Sequence, residues 1–238
     1  MKYFNAEEKE LLFKQIYREE GRHRKRNIAI FEVAKYCALR ASEISNLKLG
    51  FYDRSSSTLY CQRLKGSNSN TLMIVDPYVR KALNDYLDER ENLSIVSQNL
   101  FVSQKGFPFS RQRMDALMKY YCSQTNAIPQ YKWHMHVLRH SRAIELIESG
   151  FDVNDVQYWL GHKNSENTFK YLEFTPALKQ TLFKKLAALE GSEKSCGDRY
   201  PLDDSHMARN CRYAESPGSC CSRALCISKT YLFPLQTF

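Results

Sequence analysis

Six side chains in this sequence are of types that do chemistry and fall at element ends and turns rather than in apolar stripes: Arg40, Lys65, His136, Arg139, His162 and Tyr171. Two guanidiniums match the two non-bridging oxygens of one phosphodiester, because each donates a forked pair of hydrogen bonds and neither gives up its charge. Lysine and histidine add protons that can move. A tyrosine hydroxyl, with a free pKa near ~10, is an oxygen nucleophile once cationic neighbours favour its phenolate. Taken singly, each residue has an ordinary reading. Arg40 with Glu43, three residues on, reads as an ion pair at a helix end. Lys65 beside a Gly-Ser-Asn turn reads as a solvated hairpin lysine. Tyr171 has aromatic neighbours in Tyr158, Phe169 and Phe174 and reads as a packed ring, with Tyr158 and Tyr131 as rival nucleophiles. His134, His136 and His140 suggest metal ligands by type, but Arg139 sets a cation among them, so no metal and no other cofactor is expected.

The elements that must position these residues follow from periodicity. Residues 6–19 carry Leu11, Leu12 and Ile16 at helical spacing. After a basic block, a second helix has a broad apolar face of Ile28, Phe31, Val33, Ala34 and Cys37, and Arg40 arrives just past its end. Residues 41–47 add a further turn or two that lets Arg40 and Glu43 touch. Residues 58–62 and 71–75, rich in β-branched and aromatic types around a Gly-Ser-Asn turn, predict a hairpin with Lys65 near its tip. Asp76-Pro77 then caps and opens a helix through Val79, Leu83, Tyr86 and Leu87. Leu100-Phe101-Val102 suggests a short third strand, and Ser110 a cap for a helix through Met114 and Tyr121. A helix with Leu138, Ile144 and Ile147 stops at Gly150, another spans about 152–160, Gly161-His162 breaks it, and 166–174 forms one more. On one uninterrupted helix His162 and Tyr171, nine apart, would lie on opposite faces, so 163–165 must turn if both serve one phosphate. A last apolar stripe (Ala177, Leu178, Leu182, Phe183, Leu186, Leu189) covers 176–190. Beyond Gly191 neither period persists, and 192–238 reads as a poorly ordered tail. The fold class expected is mainly α with a small antiparallel β-sheet, in one domain over 1–191.

Composition narrows the partner. With 238 residues, 43% hydrophobic and 26% charged, the chain can fill a core without becoming disordered or lipid-soluble. Runs such as Ile28 to Phe31 fall far short of the ~20 apolar residues of a membrane span, and acidic residues in MKYFNAEEKE stand where a secretion signal would be apolar. A cytoplasmic, nucleoid-associated protein is expected. The net charge of +9 favours a polyanionic partner. The surplus sits in the body of the chain, because the tail is nearly balanced. Arg22, Arg24, Lys25 and Arg26, with His23 among them, form a basic block that reads equally as a solvated loop or as a turn facing DNA phosphates. Of the eight cysteines, Cys37, Cys61 and Cys122 are expected to be reduced thiols, and five crowd the tail without the C-x-x-C spacing of a zinc knuckle.

The six residues sit in recognisable surroundings. ALRASEI around Arg40 and Glu43, RLKGS around Lys65, HVLRHS with His136 and Arg139, LGH ending in His162, and Tyr171 nine residues on together resemble the tyrosine recombinases, or phage integrase family, over roughly residues 27–190. In layout the sequence is most like short members such as the fimbrial phase-switch invertases. The resemblance implies that Tyr171, preferred over its rivals by motif spacing, attacks a DNA phosphate to give a 3′-phosphotyrosyl bond and a free 5′ hydroxyl. Arg40 and Arg139 would neutralise the pentacoordinate transition state, Lys65 would protonate the departing 5′ oxygen, and His136 would act as general acid/base near Tyr171 and the phosphate. His162 would donate to a non-bridging oxygen, and Glu43 would orient the arginines. The bond energy stays in the covalent intermediate, so neither metal nor nucleotide is required.

The implied partners are double-stranded DNA, further copies of the chain in a homotetramer on paired sites, and accessory DNA-bending proteins. Three features depart from the family pattern: Ala38 stands where a glycine is common, about 26 residues precede the first matched helix, so that no N-terminal core-binding domain is expected, and the cysteine-containing tail matches nothing in it. Two rival functions follow, a DNA-binding regulator or inactive remnant, and a topoisomerase-like nicking and closing enzyme.

Overall fold

A computed structural model describes residues 1–92 and 96–172. The apolar stripe of 176–190, the end of the expected 166–174 helix and the 192–238 tail lie outside the described residues. The order of elements is α1 (Ala6–Arg18), α2 (Arg24–Cys37), α3 (Ala41–Asn46), a 3-10 turn (Leu49–Phe51), β1 (Tyr52–Asp53), β2 (Thr58–Cys61), β3 (Asn70–Met73), α4 (Pro77–Asn92), α5 (Arg111–Ser123), a second 3-10 turn (Gln130–Lys132), α6 (Met135–Glu148), α7 (Val153–Leu160) and α8 (Glu166–Leu172). The mainly helical class with a small antiparallel sheet is the one observed.

Helix α2 is the axis of the core. From Arg26 to Cys37 every residue but Lys35 is buried, because α1, α4 and α6 all pack on it. Such a helix is buried on nearly every face and must satisfy the polar groups it carries inward; its one buried carboxylate, Glu32, is met by the Tyr17 hydroxyl at 2.8 Å and by Lys35. Asn5 starts α1 with a reciprocal capping box to Glu8. Asp76 caps α4 through the Tyr78 N–H at 2.8 Å, and Ser110 caps α5, both where their residue types indicate.

The sheet has the order β1-β2-β3, all antiparallel, with Leu59 opposite Leu72 and Cys61 opposite Asn70. Leu59 and Cys61 point into the core while Tyr60 faces out, the period-two alternation of a half-buried strand. Leu100-Phe101-Val102 does not join it. This segment is buried but bends at Leu100 and Phe101, and it and its neighbour Asn99 form only isolated bridges, Lys48 with Asn99 and Val102 with Pro108.

The Phe101 carbonyl accepts from the Phe109 N–H at 3.0 Å, but without a neighbouring strand those of Leu100 and Val102 need side-chain donors. Arg90 bonds the carbonyls of Leu100 and Ser97 at 3.1 and 2.6 Å, Tyr86 shares that of Leu100, and Arg26 bonds that of Val102 at 3.3 Å while stacking on Phe109. This corrects the expectation for Arg26, which is a buried structural residue in the first turn of α2 rather than part of an outward basic surface. Arg22, Arg24 and Lys25 are exposed. Arg26→Ala should therefore lower the unfolding free energy by about 1–3 kcal/mol in urea titration, since it orphans a buried carbonyl. Arg22→Ala should stay within about 0.5 kcal/mol of the parent.

Candidate active site

The site is assembled around Glu43. Arg40 is the cap residue of α3 and Glu43 its third residue, so the carboxylate folds back onto the Arg40 backbone N–H at 2.9 Å and onto its Nη1 at 2.7 Å. The same carboxylate accepts from Arg63 Nη1 at 3.3 Å and lies 4.0 Å from Arg139 Nη1. Burial alone would raise the Glu43 pKa. The Arg40 N–H and the charges of Arg63 and Arg139 outweigh it and hold the group below the usual carboxylate range.

Two of these guanidiniums are fixed by helix ends. The last carbonyls of a helix have no partner within it and carry the negative end of its dipole. Arg139, on α6 and 1% exposed, donates to Ala38 O beyond α2 at 2.6 Å and to Leu160 O at the end of α7 at 2.8 Å. Arg63 donates to Cys37 O at 3.2 Å, to Trp159 O at 2.7 Å and to Asn70 Oδ1 at 3.2 Å. Burial, then the Arg40 and Arg63 charges, lower the Arg139 pKa to about 9, so it remains a cation at neutral pH. Sequence reasoning passed over Arg63. Its signal is the alternation of β2, in which Leu59, Cys61 and then Arg63 fall on the inner face.

Both helices end on a residue in the left-handed region. Ala38 (φ 53°) takes that place without a glycine's freedom, at a cost of roughly 1–2 kcal/mol. Gly161 (φ 69°) ends α7 and has no alternative, because a Cβ there would meet Asn68 O at 2.4 Å and Arg63 Cγ at 2.9 Å. That close approach pins the β2–β3 loop to α7 through Asn68 N–H to Gly161 O at 2.9 Å and a bridge between Ser67 and His162. The loop sets Ser67 Oγ 3.3 Å from Arg40 Nη1 and leaves Lys65 exposed at its turn.

Helices α6, α7 and α8 supply the rest. The 161–165 segment turns as the spacing requires, and the His162 and Tyr171 rings lie parallel at 6.4 Å between centroids. His162 is held by Thr168 Oγ1 at 2.9 Å on Nδ1. Tyr171, 3% exposed, has its hydroxyl 2.9 Å from Nδ1 of His140, whose ring stands edge-on to His136. The Tyr171 phenol departs from expectation: burial raises its pKa and outweighs the lowering by Arg139 and Arg40. Burial and nearby cations lower the pKa of His136, bring His140 to about 4 and bring His162 to about 3.

Arg40, Lys65, His136, Arg139, His162 and Tyr171 all line one cleft of about 420 Å³, together with His140, Lys163 and Lys170, which sequence reasoning did not select as site residues. The basic block is not brought there; Arg22 and Arg26 line a separate hollow with Glu89 and Gln104. A cationic cleft with a phenol on its wall suits a phosphodiester and a hydroxyl nucleophile.

The phage integrase family matches residues 2–177, and the chain belongs to it. Its architecture is that of the tyrosine recombinase catalytic domains. It is 33% identical over 152 residues to the type 1 fimbriae regulatory protein FimB of Escherichia coli K12, across 63% of this chain and 74% of FimB. It is 29% identical over 191 residues to tyrosine recombinase XerC of Pediococcus pentosaceus, across 77% of this chain and 61% of XerC. The XerH recombinase, solved in a post-cleavage complex with palindromic difH, shares the fold with TM-score 0.66 at 23% identity, over 79% of this chain and 53% of XerH. The chain thus spans less than two thirds of XerC and about half of XerH. No helix among the described residues is long and apolar enough to cross a membrane.

Two outcomes follow from this geometry. Gly161→Ala should lose about 2 kcal/mol or more of unfolding free energy in urea, from backbone strain plus the clash with Asn68 O; a change under about 0.5 kcal/mol would contradict the pinning. His140 and His162 titrate below the ~6.5 of a free imidazole, so between those values the unfolded chain binds protons that the folded chain does not. Stability should fall as pH drops from about 6.5 toward 4, and His162→Asn should flatten that slope in a pH series of urea titrations.

Proposed function

We propose that this chain is a site-specific DNA recombinase that cuts and rejoins strands through a 3′-phosphotyrosyl intermediate, with 1–191 as its catalytic domain. The observation that carries the reading is the shared cleft of the two arginines, the lysine, the two histidines and Tyr171. Arg40 and Arg139 take the non-bridging oxygens of the scissile phosphate. Arg40 is held by Glu43 and Arg139 by the carbonyls of Ala38 and Leu160, with Glu43 as a nearby counter-charge, so little reorganisation remains when charge builds in the transition state. Tyr171 is the nucleophile, Lys65 protonates the leaving 5′ oxygen, His136 is a general acid/base near Tyr171 and the phosphate, and His162 donates to a non-bridging oxygen. Lys163 and Lys170 on the cleft, and the exposed Arg22, Arg24 and Lys25, contact neighbouring phosphates.

The substrate is double-stranded DNA. The acting form is a homotetramer on two paired sites, assisted by DNA-bending proteins, in the cytoplasm at the nucleoid.

The test uses nicked suicide duplexes made from the sequences flanking its own gene. A covalent protein–DNA adduct is expected from the parent chain and none from Tyr171→Phe, and binding should weaken steeply with rising salt. Binding without an adduct would make the chain a DNA-binding regulator or an inactive remnant. Relaxation of supercoiled DNA without strand exchange would make it a nicking and closing enzyme.

A further inference from the structure

Helix α6 carries three site residues within one turn and a half, and they divide the work by direction. Arg139 turns inward to the ends of α2 and α7. His136 and His140, four apart and so on one face, form an edge-to-face pair with centroids 4.4 Å apart. His136 is the exposed member, and His140 is the member whose Nδ1 lies 2.9 Å from the Tyr171 hydroxyl. The His140–Tyr171 contact joins the middle of α6 to the end of α8, so the group beside the nucleophile belongs to one of the most buried helices of the fold.

We propose that His140, rather than the more exposed His136, is the catalytic proton acceptor for Tyr171, taking the phenol proton as the oxygen attacks and returning it when the strand is resealed. This rests on the strand-transfer reading above. In the cleavage step the Oη–H bond breaks toward His140 Nδ1, the Oη–P bond forms and the P–O5′ bond breaks. The 5′ oxygen takes its proton from Lys65, so His140 gains one proton while Lys65 loses one. His140 is ready for this role because burial, with the nearby charge of Arg139, keeps it neutral. With the proton on Nε2, the Nδ1 lone pair faces the phenol. A phosphodiester entering beside Arg139 offsets part of that cationic repulsion, which makes the imidazole a better base only once DNA is in place.

The test compares adduct formation by the parent chain, His140→Ala, His140→Asn, Lys65→Ala and Tyr171→Phe. Each is measured on suicide duplexes with an ordinary 5′ oxygen and with a 5′-bridging sulfur, a leaving group that needs no proton. Asparagine offers the phenol a hydrogen bond but cannot hold its proton. Both His140 variants are expected to be slower by about 10²-fold or more on both duplexes, while Lys65→Ala is slow only on the oxygen duplex. Parent-like rates for His140→Asn would overturn the proposal, since a hydrogen bond would then suffice. Rescue of the His140 variants by sulfur would also overturn it, since His140 would then serve the leaving group. If the parent chain forms no adduct, or Tyr171→Phe forms one, the strand-transfer reading itself fails, and the proposal fails with it.

Discussion

A buried carboxylate surrounded by guanidiniums is the constraint on which this structure turns. Removing a carboxylate from water costs several kcal/mol unless charges and donors replace the solvent. Glu43 meets that demand with a backbone N–H, two arginine contacts and a third guanidinium at 4.0 Å. The dependence runs both ways. Arg63 and Arg139 are themselves almost wholly buried, and without Glu43 they would be two cations in a low-dielectric interior with only carbonyls for company.

Helix termini complete the electrostatics. The ends of α2 and α7 converge, and their orphan carbonyls are the acceptors for Arg63 and Arg139. This arrangement ties three distant parts of the sequence together. The left-handed residues Ala38 and Gly161 end the two helices where they must stop, and the β2–β3 loop closes against Gly161 to bring Lys65 to the same cleft. The groups that stabilise the fold are therefore the groups that aim positive charge at the cleft. An anion bound there would be a second counter-charge for a cluster held in advance.

Much of this was legible in the sequence, for identifiable reasons. Arg40 and Glu43 are three apart at a helix start, a spacing that leaves little freedom. The turn between His162 and Tyr171 followed from helical geometry alone. What escaped was set by contacts distant in sequence. Leu100-Phe101-Val102 has a strand's composition, but composition does not say whether a neighbouring strand is available, and here arginines take that neighbour's place. Arg26 followed the same logic, since its burial is caused by a carbonyl 76 residues away. Arg63 was hidden because a charged residue after a strand looks solvated unless the alternation is carried two residues further. His140 was weighed only as a metal ligand, because its partner Tyr171 lies 31 residues on. The phenol's raised pKa could not be anticipated from cation count, because burial outweighs the two arginines.

The most direct measurement is the single-turnover rate of adduct formation by Glu43→Gln at saturating DNA. Glutamine keeps the shape and the hydrogen-bond acceptor but removes the charge that gathers the arginines. A loss of about 10²-fold in rate is expected, with DNA affinity within a few-fold of the parent chain, since most binding energy comes from phosphates elsewhere. A parent-like rate would mean that the guanidiniums hold their places without the carboxylate, and would contradict the central role of Glu43.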